Sequence, residues 1–216
     1  MQQGKFITFE GGEGSGKSTQ LRLLADYLRE QGLKCVETKE PGGTPVGIEI
    51  RHLLVEGDKD KMDAIAEALM YYADRRIHLT EKIWPALAHG EWVLSDRFAD
   101  STMAYQYYGY NKRVDKKVLE GFYDLVIGDG QGPELTLLFD IDPEVGLARS
   151  WAKAGQMEFA ELRHESRALE FHHNLRRGYL ELAKQEPRRI KVLNADQPIE
   201  KLHQDVLQII KEKFGI

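Results

Sequence analysis

The tract Gly11-Gly12-Glu13-Gly14-Ser15-Gly16-Lys17-Ser18 constrains this chain more than any other part of it. It matches G-x-x-x-x-G-K-[ST] without a gap, directly after the apolar, strand-like run Phe6–Glu10 and directly before residues with helical spacing. A strand, a tight glycine turn and a helix in immediate succession are a unit of a parallel α/β sheet. Backbone N–H groups in such a turn converge on phosphate oxygens, and the helix N-terminus adds positive potential. The candidate nucleotide-binding set therefore runs from Gly11 through Thr19. Within it, Lys17 is expected to reach the β- and γ-phosphates of ATP and the Ser18 hydroxyl to ligate Mg²⁺.

The rest of the chain repeats the alternation. Apolar runs at Phe6–Phe9, Cys35–Thr38, Trp92–Leu94, Leu135–Ile141 and Ile190–Leu193 predict buried strands. Between them, spacings such as Leu21, Leu24, Ala25 and Leu28, or Leu202, Val206, Ile209 and Ile210, predict amphipathic helices. The expected fold is a doubly wound, parallel, five-stranded α/β sheet flanked by helices, of the P-loop NTPase kind. Two stretches stand outside the alternation: a long helical segment from about Asp63 to His89, expected to break near Pro85, and a polar segment from Arg149 to Glu165. Both read as substrate-facing insertions. With 216 residues and no linker or internal repeat, one domain is expected.

Charge and cysteine content narrow the partners. A net charge of −5 offers no global basic field, so nucleic acid is not an expected ligand and small phosphates are. Cys35 is the single cysteine and has no disulfide partner within the chain; no apolar run approaches the roughly 20 residues that span a bilayer. A strand-like run close to the N-terminus in place of a signal peptide completes the expectation of a cytoplasmic protein.

A phosphate loop alone serves ATPases, GTPases and kinases alike. A guanine-specific switch calls for N-K-x-D after a strand, whereas Asn111-Lys112-Arg113-Val114-Asp115 has its aspartate one residue late and reads as a loop. At Trp92-Val93-Leu94-Ser95-Asp96 an apolar strand does end in an acid, and Asp96 is placed to hold a water of the Mg²⁺ shell. Arg97 follows at the mouth of the sheet, where a guanidinium bridges donor and acceptor phosphates as charge builds between them.

Further short motifs carry a family resemblance. Glu40-Pro41-Gly42-Gly43-Thr44 follows the second strand, Arg51 precedes Leu53-Leu54, and Tyr71-Tyr72-Ala73-Asp74-Arg75 lies in the long helix. Asp96-Arg97 then leads through Ser101-Thr102 to Ala104-Tyr105-Gln106, and Phe171-His172, Arg176, Gly178-Tyr179-Leu180 and Ala195-Asp196-Gln197 extend the series. In this order and spacing the chain resembles the thymidylate kinases, in their bacterial form.

The resemblance implies phosphoryl transfer from ATP to thymidine 5′-monophosphate, with Mg²⁺, in a homodimer. It implies that Arg51 and Arg75 hold the acceptor monophosphate, that Tyr71 stacks on the thymine, and that Ser101, Thr102 and Gln106 read its edge. Tyr105 matches a position against the deoxyribose, and Glu40, beside Pro41, matches an acid near the acceptor sugar and Mg²⁺. Tyr71 and Arg75 share a helix face, so a flat ring and a phosphate clamp can meet opposite ends of one nucleotide. Another monophosphate, deoxyuridylate or cytidylate, or an ATP-hydrolysing regulatory module, remain as alternative readings.

The family closes a cationic lid over the phosphates, and Glu13 leaves the loop without the basic residue it carries in some members. Here the lid departs from the pattern: it offers Arg149, Lys153 and Arg163, and Leu162-Arg163 replaces the usual Asp-Arg. Arg149 first and Lys153 second are the expected catalytic cations. Lys39 and Tyr108-Gly109-Tyr110 are smaller departures, and the seven histidines show no metal-site spacing.

Overall fold

The structure, a computed structural model, describes residues 4–58, 61–112, 114–154 and 167–216, apart from the side chains of residues 153 and 154. Five parallel strands form one sheet in the order β2-β3-β1-β4-β5: β1 Phe6–Gly11, β2 Cys35–Lys39, β3 Trp92–Asp96, β4 Leu135–Asp140 and β5 Ile190–Asn194. Phe6, Ile7 and Phe9 of the central strand are wholly buried, as are Val93, Leu94, Leu135 and Leu137 beside it. A strand buried on both faces needs apolar residues in succession rather than alternation, which is why these runs are legible.

Helix α1, Lys17–Glu30, covers one face through Leu21, Leu24, Ala25 and Leu28, together with α9, Ile199–Phe214. The acceptor side is built from α2, Pro45–Val55, and α3, Ala64–His78. Thr44 starts α2 by accepting from Gly47 N at 3.1 Å, and Asp63 starts α3 by accepting from Ile65 N at 2.8 Å and Ala66 N at 3.0 Å. Pro85 does not break the following segment, contrary to expectation. A π-helical turn, Leu79–Ile83, joins α3 to α4, Trp84–Ala88, and Trp84 N donates to Leu79 O five residues back. The wider turn accommodates the missing N–H and the ring of Pro85, so the chain stays helical.

After β3 comes a short α5, Ala99–Thr102, that runs into a second π-helical stretch, Met103–Gly109. Then follow α6, Lys116–Ile127, α7, Pro143–Ala154, and α8, Leu169–Gln185. Arg149 and Lys153 belong to α7; the remainder of the expected lid, residues 155–165 with Arg163, lies outside the described residues. Among the described residues no helix is long and apolar enough to cross a membrane.

Candidate active site

The turn after β1 bends where a side chain cannot go. At Gly14, φ is +65° and a Cβ would lie 2.0 Å from Gly146 O, so the loop and α7 touch backbone to backbone. Gly16 caps α1 in the left-handed region, with Thr19 N and Gln20 N donating to its carbonyl. Lys17 is buried at the loop, and its ammonium donates to Gly11 O at 3.0 Å and Gly12 O at 2.8 Å. Burial first, and the charge of Arg97 second, lower its pKa to about 8.

Ser18 leaves the loop toward β3, and its hydroxyl donates to Asp96 Oδ2 at 2.6 Å. A hydroxyl beside one carboxylate, at the end of a phosphate loop, suits Mg²⁺, which takes few protein ligands and completes its shell with phosphate oxygens and water. Among the described residues no group of three or more His, Cys, Asp or Glu offers an all-protein metal site.

Arg97 has φ +73°, a left-handed conformation that costs a non-glycine residue about 1–2 kcal/mol. That turn sends its guanidinium back over the loop. Nη1 donates to Gly11 O, Ser101 Oγ and Tyr179 Oη, each at 3.2 Å, and Nη2 to Glu13 Oε1 at 2.7 Å. Tyr105 Oη donates to the same Glu13 oxygen at 2.6 Å, and the Arg97 guanidinium lies 5.1 Å from the Tyr105 ring centre.

Behind Arg97 sits Glu10, a fully buried acid at the end of β1. It accepts from Phe98 N at 2.7 Å, Ser101 Oγ at 2.5 Å and Tyr179 Oη at 3.2 Å. Burial, reinforced by the charge of Asp100, raises its pKa to about 7.

A cleft of about 650 Å³ opens beside the loop, lined by Glu13, Glu40, Pro41, Arg51, Tyr71, Arg75, Arg97, Phe98, Ser101, Thr102, Tyr105 and Gln106, with Val55 at its wall. It brings together every acceptor-side residue read from the sequence. Arg75 is 1 % exposed; Nε donates to Glu40 Oε2 at 2.9 Å and Nη2 to Thr102 Oγ1 at 3.0 Å. Its third nitrogen, Nη1, is buried and has no hydrogen-bond partner among the described residues. Gln106 is buried too: Nε2 donates to Glu67 Oε1 at 3.1 Å, while Oε1 has no partner among the described residues. Buried polar atoms of this kind are costly, and both belong to side chains that line the one cleft. Arg51 Nη1 donates to Pro41 O at 3.0 Å at the cleft mouth.

The structure gives the side chains read from the sequence the following partners. Both oxygens of Glu40 have a partner, Arg75 Nε at 2.9 Å on one and His78 Nδ1 at 2.9 Å on the other, so Glu40 braces Arg75. Ser101 Oγ donates to Glu10 and bonds Tyr179 Oη, and Thr102 Oγ1 accepts from Arg75 Nη2, so both hydroxyls help orient the site's charged groups. Arg149 donates to Ala195 O at 3.1 Å and Asp196 Oδ1 at 2.7 Å. Tyr72 is core, donating to Leu119 O, and His172 is buried while His173 pairs with Glu144 on the surface. Glu10, Glu67 and Phe98 were not read as site residues from the sequence, and Tyr179 was read only as part of the family pattern.

A phosphate loop at the carboxyl edge of a parallel sheet, facing a second cleft with a buried arginine, defines a phosphotransferase of the P-loop class. The comparisons specify it. A sequence profile described as thymidylate kinase matches residues 9–206. A thymidylate kinase of Magnetococcus marinus is 45% identical over 99% of both chains, and one of Caulobacter vibrioides is 44% identical over the whole of both. The crystal structure of a thymidylate kinase from Ehrlichia chaffeensis superposes with a TM-score of 0.77 at 33% identity, over 97% of this chain and 99% of that one. This chain belongs to the thymidylate kinase family.

Proposed function

We propose that the chain transfers the γ-phosphate of ATP to thymidine 5′-monophosphate, giving dTDP and ADP, with the loop as donor half and the 650 Å³ cleft as acceptor half. The observation that carries this division is the pair of buried atoms without a partner among the described residues, Arg75 Nη1 and Gln106 Oε1, on side chains that line one cleft beside the loop. A cation at one end suits the phosphate and an amide carbonyl at the other suits a base edge. Arg51 joins Arg75 at the phosphate, Tyr71 packs on the base, and Tyr105 stands against the sugar.

The acceptor is itself a phosphate whose second pKa is about 6, so at neutral pH its oxygen is already largely ionised and no general base is needed. What remains is to hold two anions in line and neutralise their repulsion. Lys17 does so on the donor side. Arg97, already bonded to the loop carbonyl Gly11 O, lies between the two halves. Glu40 positions Arg75, and Glu13 holds Arg97 and Tyr105 together. Ser18 and Asp96 would hold Mg²⁺, which supplies charge neutralisation on the phosphates when bound. Arg149 and Lys153 complete the set as lid cations. The Arg149–Asp196 pair is exposed, 44% and 57%, and releasing such a pair costs no more than about 1 kcal/mol.

Release of ADP across a panel of monophosphates tests the reading. Turnover should require an added monophosphate and be fastest with dTMP. ADP release that ignores the monophosphate would remove the kinase reading; preference for a different monophosphate would remove only the substrate.

A further inference from the structure

Behind the base end of the cleft runs a chain of hydrogen bonds whose direction is forced from one end. A guanidinium donates and never accepts, and Arg167 Nη2 donates to Tyr110 Oη at 2.5 Å, with the guanidinium 4.6 Å from the Tyr110 ring centre. Tyr110 has a single hydroxyl proton, and it goes to Glu67 Oε2 at 2.8 Å. Glu67, wholly buried in α3, meets Gln106 with its other oxygen as acceptor, so the Gln106 NH₂ group is the one that faces it at 3.1 Å. The carbonyl Oε1 is left without a partner among the described residues, on a side chain that lines the cleft. Turning the amide over would set two acceptors face to face in a buried site, and it would also aim a donor into the cleft.

We propose that Glu67, held by Tyr110 and Arg167, is a specificity-determining positioning residue: it fixes the Gln106 carbonyl toward the acceptor base. The site thereby selects a pyrimidine with N–H at ring position 3 over one with a bare nitrogen there. Thymine and uracil donate at that position. Cytosine presents a lone pair to a lone pair. The inference deepens the proposed function and rests on it.

The test compares kcat/KM for dTMP and dCMP in the wild type, Glu67→Gln and Tyr110→Phe, with thermal melting as the check on folding. Where dCMP turns over too slowly, its Ki against dTMP replaces kcat/KM. The amide of Glu67→Gln can donate or accept, which frees Gln106 to turn. The dTMP:dCMP preference should then fall by about 5- to 100-fold, the range set by one buried hydrogen bond, through KM and with kcat for dTMP and KM for ATP little changed. Tyr110→Phe should move the ratio in the same direction by less. A residue with only a structural role would weaken both substrates alike and leave the ratio in place. A folded Glu67→Gln protein with an unchanged ratio overturns the proposal; if that variant does not fold, an unchanged ratio in Tyr110→Phe overturns it. A wild type that phosphorylates neither monophosphate removes the function itself, a failure distinct from an unchanged ratio.

Discussion

At the residue scale the site works by spending charge on neighbours in advance. Lys17 donates to the loop carbonyls Gly11 O and Gly12 O and Arg97 to Gly11 O, and burial, with the charge of Arg97 second, lowers the Lys17 pKa to about 8. The sign of the consequence is set by binding. Below pH 8 the ammonium is charged and meets the phosphates directly; above it the free protein loses that proton, and ATP binding must restore it. The dissociation constant for Mg-ATP should therefore rise about tenfold per pH unit above 8, with proton uptake seen by calorimetry in buffers of different ionisation enthalpy. A constant affinity up to pH 9.5 would contradict the assignment. Lys17 was legible because it sits at a fixed offset in a glycine turn, and Arg51, Tyr71, Arg75 and Gln106 because they lie in the short motifs that carry the family resemblance. Glu10 and Glu67 were not. A carboxylate in a strand or an amphipathic helix reads as a solvated face, and only the folded contacts reveal that these two are buried and bonded.

Elements place these residues through their irregularities. The π-helical stretch Met103–Gly109 ends with Tyr110 N donating to Tyr105 O, and the widened turn carries Tyr105 and Gln106 together at the cleft. Sequence periodicity contains no signal for such a turn, since one extra residue shifts the helical face without changing composition. The break expected at Pro85 failed for the same reason. Gly14 and Gly146 give the loop and α7 a contact with no room for a Cβ on either side, so the helix that bears Arg149 is registered against the phosphate site. On the opposite side, α2, α3 and α6 pack side by side and leave apolar side chains outward: Leu53, Ile65, Leu69, Val118 and Leu125, the last 80% exposed. A face of that kind is the proposed homodimer surface. Light scattering should give the mass of two chains, and Leu125→Arg should lower it toward one. A wild-type mass of one chain at working concentrations would contradict the dimer.

Across the whole molecule, the sheet order β2-β3-β1-β4-β5 puts the ends of β1 and β3 next to each other, where the order reverses direction. The loop after β1 and Asp96-Arg97 after β3 are thereby neighbours without any long connection. Asp100, at the start of α5, is clamped by Arg189 at the start of β5 with bonds of 2.7 and 2.8 Å, tying the Arg97 turn to the far edge of the sheet. The strands, their parallel sense and the donor loop followed from apolar runs and one motif. The departure of the lid from the family pattern follows from residues outside that frame. The account's central claim is that two nucleotides occupy two halves of one site and that the γ-phosphate passes between them. Phosphorus NMR of the protein with ATP, Mg²⁺ and dTMP follows that atom directly. The γ resonance should fall as the signals of ADP and dTDP rise together in equal amounts, with no inorganic phosphate; growth of inorganic phosphate over unchanged dTMP would contradict the claim.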